Sequence, residues 1–184
     1  EAVEAAQVTY LEGYLFDQEP AKEAFIRAAE LAHAAGRKVA LSLSDPFCVD
    51  RHRSAFRHLV SGHVDILFAN EVEIISLVEA NSFDDAVNAI RDHCEFAALT
   101  RGADGSVIVT AEKVIEITAE PVERVVDTTG AGDLFAAGVL YGLTQGFEHG
   151  TCGRLGSIAA GEVIGHYGAR PQSPLSDLVY GQID

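Results

Sequence analysis

Asp127-Thr128-Thr129-Gly130-Ala131-Gly132-Asp133 follows the β-branched pair Val125-Val126 and runs into an apolar stretch over 134–141. The spacing predicts a strand, a tight glycine turn and a helix that opens near Ala131. Such a helix start gathers free backbone N–H groups and the positive end of the helix dipole at one point. It also sets the carboxylate of Asp133 in the first helical turn. A site that only held phosphate would gain nothing from an acid there. A site that must also take a proton beside a phosphate would. The plainer alternative is a helix-opening turn whose acid simply favours the dipole, and the stretch by itself is compatible with both.

Upstream of this turn, strands and helices alternate. Residues 8–11 have strand propensity after a helix tail, and 13–17 read as a strand end and loop. Residues 20–35 read as a helix, with Pro20 at its first position, Gly36 as its stop and apolar residues at three- and four-residue steps. A buried strand over 39–43 is closed by Asp45-Pro46, and 50–60 is helical. A strand over 64–69 has Asn70 at its carboxyl end, and 71–78 is helical. Ser82 caps a helix running to about Cys94. Residues 96–100 form a strand, 101–105 a turn, and 106–110 with 114–118 a hairpin. Residues 122–126 lead into the glycine turn, and the helix after it runs to about Gln145. A last helix covers 152–166 and is stopped by Gly168, with a turn near 176–180. This pattern is that of an α/β fold, a mostly parallel sheet with helices on both faces and an antiparallel edge hairpin.

Composition narrows the function. The 184 residues suffice for a real core, and 48% are apolar. With 28 acidic and 13 basic residues the net charge is −15, which argues against a nucleic-acid or anionic-membrane binder. No apolar run is long enough for a membrane span, and the start has no signal-peptide pattern. Cys48, Cys94 and Cys152 show no CxxC spacing, so reduced, buried thiols in a cytoplasmic protein are expected. A chain that opens at Glu1 and contains no methionine is expected to lack its initiation end.

Ligands of open α/β sheets bind at the carboxyl ends of strands. Asp45, Asn70, the Thr100–Gly105 turn and the Gly130–Asp133 turn all follow expected strands. Gly130-x-Gly132 is half of a dinucleotide fingerprint, but Phe135 stands where the third glycine should be, and no Gly-Lys-Ser/Thr triplet exists for a P-loop. Phosphoryl transfer fits better, because it needs positioning, charge stabilisation and a base more than covalent help. Amides of Gly130, Ala131 and Gly132 can stabilise the charge growing on the transferred group, and Asp133 can accept the hydroxyl proton.

The motif DTTGAGDLFAAGVL over 127–140 resembles the C-terminal signature of the ribokinase-like (PfkB) carbohydrate and nucleoside kinases. Asn70-Glu71-Val72-Glu73 is similar to that family's Asn-x-x-Glu, Thr100-Arg101-Gly102-Ala103-Asp104-Gly105 to its Thr-x-Gly-x-x-Gly loop, and His166-Tyr167-Gly168-Ala169 to its closing Gly-Ala segment. Glu12-Gly13-Tyr14-Leu15 and Ser44-Asp45-Pro46-Phe47 look most like adenosine kinases or related sugar kinases. The resemblance implies an ATP-dependent kinase acting on a hydroxymethyl group of a sugar or nucleoside. It implies Asp133 as base and Gly130, Ala131 and Gly132 as anion hole. Asn70 and Glu73 would hold Mg²⁺, largely through water. Thr100, Gly102 and Gly105 would line ATP, and His166 would flank the adenine. Asp127, Thr129 and the Gly168 carbonyl would serve K⁺, as in potassium-activated members. Read from propensity, Glu73 is equally a solvated helix acid, Asp45 a turn residue before proline, and His166 a helix C-terminal histidine. The resemblance places 1–184 as the ATP-binding and catalytic C-terminal portion of the kinase domain, without the N-terminal half that carries sugar-binding residues and a lid. In the family that lid often builds a homodimer. A nucleotide-binding module without kinase activity of its own is the alternative, and a flavodoxin-like binding domain a third.

Overall fold

A computed structural model of the chain describes residues 1–179. The elements run α1 (Ala2–Ala5), β1 (Val8–Glu12), a 3₁₀ turn (Gly13–Asp17), α2 (Glu19–Ala34), β2 (Lys38–Ser42), α3 (Pro46–His63), β3 (Ile66–Asn70), α4 (Glu71–Val78), α5 (Phe83–Ile90) and β4 (Phe96–Thr100). A second 3₁₀ turn (Gly102–Asp104) leads to β5 (Ser106–Val109), β6 (Val114–Ile117), α6 (Ala131–Gln145), α7 (His149–Ile164) and α8 (Leu175–Val179). The strands lie in the order β1-β2-β3-β4-β5-β6 in a mixed, mostly parallel sheet. Among the described residues, no helix is long and apolar enough to cross a membrane.

By contacts the chain divides into two compact units. One comprises Glu1–Leu99 with Val109–Lys113, the other Thr100–Ile108 with the chain from Val114 onward. In the first, Val39, Ala40 and Leu41 of β2, Leu67 of β3 and Leu99 of β4 are fully buried. Continuous apolar strands of this kind need cover on both faces, which parallel sheets receive from their crossover helices. Phe16 of the 3₁₀ turn stacks on Phe56 of α3 at 4.5 Å between centroids. The pairings β1–β2 and β2–β3 are parallel, with Glu12 opposite Ser42 and Ser42 opposite Phe68. This register brings the carboxyl ends of β1, β2 and β3 to one edge.

In the second unit, α6 and α7 touch backbone to backbone. A Cβ on Gly138 would stand 2.5 Å from the Leu155 carbonyl oxygen, and one on Gly156 2.7 Å from that of Phe135. Such contact fixes the start of α6, where the glycine turn lies.

Several sequence expectations need correction. The strand expected at Val125-Val126 does not form. Pro121 has no N–H, the N–H of Glu120 goes to the Ser157 hydroxyl (2.9 Å), and Val126 donates to the Ile164 carbonyl (2.8 Å) at the end of α7. The segment therefore lies along α7, and Val125 is 55% exposed. Asp45-Pro46 does not merely break a strand. Asp45 caps α3, accepting from Phe47 N–H (2.5 Å) and Cys48 N–H (3.4 Å), and Pro46 takes the first helical turn, so α3 opens four residues before Asp50. Residues 13–17 wind into a 3₁₀ turn. Helix α5 stops at Ile90, and α7 runs from His149 to Ile164 with Gly165, not Gly168, at its end. The expected last turn is α8, and Tyr180 lies outside the described residues. The three cysteines are free, with Cys48 and Cys152 buried and Cys94 half-buried. Burial pushes the Cys94 thiol up to about 12 and the Cys152 thiol up to about 11.

Candidate active site

The glycine turn is built by Asp127. Its Oδ1 accepts from the Thr129 N–H (3.0 Å) and hydroxyl (2.7 Å), and its Oδ2 from the Gly168 N–H (3.1 Å). The Thr129 hydroxyl, then the Thr129 and Gly168 amides, hold the Asp127 carboxyl below the usual range. Gly130 has φ +82° and caps α6 without a side chain. A Cβ there would stand 2.7 Å from the Cβ of Ala169. Asp127–Gly168 and Gly130–Ala169 thus join the turn to the segment after α7, so four residues singled out from sequence are brought together.

The first helical bond of α6 runs from Leu134 N–H to the Gly130 carbonyl (2.9 Å). Ala131 N–H donates to the Thr128 carbonyl (3.1 Å), which closes the turn. The N–H groups of Gly130, Gly132 and Asp133 have no acceptor among the described residues. A Cβ on Gly132 would meet nothing within 4 Å among the described residues, so packing there does not ask for glycine. The Asp133 carboxylate is exposed and has no hydrogen-bond or ion-pair partner among the described residues.

The Thr100–Gly105 loop closes on itself, with Arg101 N–H on the Gly105 carbonyl (2.8 Å) and Gly105 N–H on the Gly102 carbonyl (3.2 Å). Gly105 is held by packing, since its Cβ would stand 2.1 Å from the Ile117 carbonyl oxygen. Gly102, at φ +58°, faces open space. Half-buried His166 sits 3.3 Å from Glu162 and 3.2 Å from the Tyr167 carbonyl. That carbonyl, then Glu162, raises its pKa against partial desolvation. Burial pushes Glu162 up, but N–H groups of Ser173 and Gln172, both at 2.8 Å, outweigh it and hold the carboxyl below the usual range.

In the other unit, Asn70 and Glu73 form a capping box. Glu73 N–H donates to Asn70 Oδ1 (2.9 Å), while Asn70 N–H (2.8 Å) and Nδ2 (2.7 Å) donate to the two Glu73 carboxylate oxygens. Glu73 is only 5% exposed, so it is not a solvated helix acid. Burial pushes its carboxyl up to about 6, with Asp45 and Glu12 adding to the rise against the Asn70 amide. The Tyr14 phenol is pushed up by desolvation and by Asp45, Glu12 and Glu73.

Glu12 and Ser44, not singled out individually from sequence, belong to this edge. The Ser44 hydroxyl donates to Glu12. Ser44 has φ +69°, and Asp45 N–H returns to the Leu43 carbonyl (2.8 Å), a strained three-residue turn. The signal for Glu12 is an acid directly after a stretch of strand propensity. For Ser44 no local pattern marks a positive φ.

Glu12, Asp45, Asn70 and Glu73 all offer oxygen, the donor a hard cation such as Mg²⁺ takes, but among the described residues the three carboxylates do not converge into a ready ligand group. Because Asn70 already occupies both Glu73 oxygens, a water-mediated contact suits that residue better than a direct one.

A family profile described as pfkB family carbohydrate kinase matches residues 1–175. A probable sugar kinase from Rhizobium etli CFN 42 is 47% identical with a TM-score of 0.95, over 98% of this chain and 56% of its own. The adenosine kinase from Sinorhizobium meliloti is 46% identical with a TM-score of 0.95, over 98% of this chain and 55% of its own. An uncharacterized sugar kinase of Archaeoglobus fulgidus is 40% identical over 112 residues, 60% of this chain and 44% of its own. The chain therefore spans about half the length of these relatives. The family resemblance and the ribokinase-like fold expected from the glycine turn and its companion motifs are borne out. With the match running over 1–175, the chain belongs to the pfkB family of carbohydrate kinases.

Proposed function

We propose that this chain is the ATP-binding and catalytic portion of a kinase that moves the γ-phosphoryl group of ATP to a hydroxymethyl group of a sugar or nucleoside. The observation that carries the reading is the start of α6. There an exposed carboxylate without a partner among the described residues, Asp133, stands beside the amides of Gly130 and Gly132, which have no acceptor among them. Gly132 supports it further, since a residue that packing leaves free to carry a side chain is suited to close approach of a phosphate.

In this reading the acceptor hydroxyl attacks the γ-phosphorus and gives its proton to Asp133. The bond to the β-bridging oxygen breaks, and ADP leaves with the electron pair. The Gly130 and Gly132 amides hold the charge on the transferred group, and Ala131 joins them if its bond to Thr128 yields. Thr100, Gly102 and Gly105 line the nucleotide, and His166 flanks its base. Asn70 and Glu73 would hold Mg²⁺, largely through water, and the ion when bound would neutralise phosphate charge. Asp127, anionic at neutral pH, is the K⁺ ligand expected with Thr129 and Gly168. Relatives named adenosine kinase and sugar kinase support the acceptor class.

Asp133→Asn in the whole protein tests the base. Turnover should fall by about 10²–10⁴-fold while ATP affinity stays nearly unchanged. An equal loss of both would remove Asp133 from the role. The second reading is a nucleotide-binding module without kinase activity of its own. It expects the 184 residues alone to bind ATP weakly without turnover. Robust phosphorylation by them across a sugar and nucleoside panel would sink it.

A further inference from the structure

The first unit holds a cluster of a different chemical character from its oxygen-rich edge. Cys48, His52 and Asp17 each offer one ligand atom, and the three atoms lie within 4.8 Å of one another. Cys48 and His52 are four residues apart in α3, so they share a face. Asp17 comes from the 3₁₀ turn after β1, so two elements contribute. Helix α3 departs from helical geometry at His52 (φ −121°, ψ 21°), where the imidazole Nε2 meets Asp17 Oδ1 at 2.8 Å. The Cys48 thiol is buried and donates to the Gly13 carbonyl at 3.3 Å. Phe16 closes one side, edge-on to the His52 ring at 5.9 Å between centroids.

We propose that Cys48 Sγ, His52 Nε2 and Asp17 Oδ1 form a three-ligand site for a borderline-soft divalent cation of the Zn²⁺ type, fastening the 3₁₀ turn after β1 to the start of α3. The mixed sulfur, nitrogen and oxygen set suits zinc and is wrong for Mg²⁺. Three protein ligands leave one position for water. Tetrahedral binding needs the sulfur to draw in, while His52 Nε2 and Asp17 Oδ1, 2.8 Å apart, open by about half an ångström as the ion replaces their hydrogen bond. Arg51 contacts both carboxylate oxygens of Asp17, at 3.1 Å to Oδ1 and 2.9 Å to Oδ2. On binding it keeps Oδ2 while Oδ1 turns to the metal, an outer partner that orients the ligand. Burial holds the Cys48 thiol protonated, so each ion bound releases one proton from sulfur to solvent as the metal–sulfur bond forms.

The test uses the full chain, reduced, with Co²⁺ as spectroscopic probe and Zn²⁺ as competitor. One equivalent of Co²⁺ should bring sulfur-to-cobalt charge-transfer absorption and intense tetrahedral d–d bands, both removed by Zn²⁺. Cys48→Ser should abolish the charge-transfer band, while Cys94→Ser and Cys152→Ser leave it. Asp17→Asn and His52→Gln should each weaken binding by at least about tenfold. If Cys48→Ser does not fold, Asp17→Asn decides, because Asp17 lies exposed at the surface. The proposal is overturned by Co²⁺ spectra without a charge-transfer band, by a band that follows Cys94 or Cys152, or by affinity that Asp17→Asn leaves unchanged.

Discussion

Glu73→Gln tests whether burial or hydrogen bonding governs the most enclosed acid of the candidate site. Two effects oppose each other. The Asn70 N–H favours the carboxylate, whereas burial, helped by Asp45 and Glu12, favours the acid and takes the carboxyl from 4.5 to about 6. One and a half units correspond to about 2 kcal/mol. The folded pKa lies above the unfolded one, so between pH 4.5 and about 6 the folded chain binds more protons. Stability from this group is complete below the unfolded pKa and is lost as pH rises through the folded pKa. Glutamine does not titrate. The stability of the wild type relative to Glu73→Gln should therefore fall by about 2 kcal/mol between pH 4 and pH 7.5.

The offset also follows. Glutamine keeps one acceptor for the Asn70 donors and sets an NH₂ against the other. The rise to about 6 is already net of the Asn70 bond, and at pH 4 the protonated carboxyl resembles the amide, so the two proteins should be nearly equal there. At pH 7.5 the variant, free of the buried charge, should be the more stable by about 2 kcal/mol. Urea unfolding followed by far-UV circular dichroism suits a chain without tryptophan. A flat difference, or a wild type that gains on the variant as pH rises, would show that the Asn70 bonds outweigh burial. Saturating Mg²⁺, if Glu73 helps hold it, should move the midpoint of the difference down.

Gly130→Ala and Gly132→Ala separate the two glycines of the turn. Alanine at 130 meets a positive φ, about 1–2 kcal/mol, and Ala169, about 1–3 kcal/mol more, so urea titration should show a loss of about 2–5 kcal/mol. Alanine at 132 meets nothing and should stabilise the chain slightly while weakening nucleotide binding in calorimetry. Asp45→Ala should cost about 1 kcal/mol through the lost cap of α3, whereas Asp45→Asn keeps the cap. Both should lower the Glu73 midpoint, read from the pH dependence of stability, because both remove a charge that raises it.

The two glycines also show how far local sequence reaches. Gly130, Gly132 and Asp133 mark the turn and the start of α6 at Ala131 because tight turns and first helical turns impose rules within a few residues. The same holds for Ser82, which caps α5 through Asp85 N–H at 3.1 Å. Val125-Val126 misled, because β propensity is settled by partners, and its amide partner is a carbonyl 38 residues downstream, Ile164. Glu73 misled for the same reason: its i,i+3 link to Asn70 is local and readable, but its burial depends on what packs over α4. Sequence thus gives the glycine turn its shape but not the reasons for its glycines. Gly130 is demanded by Ala169, almost 40 residues on, whereas nothing among the described residues demands Gly132. A glycine that packing does not ask for, beside an acid without a partner among the described residues, is what the proposed phosphate-handling turn has and a mere helix start does not require.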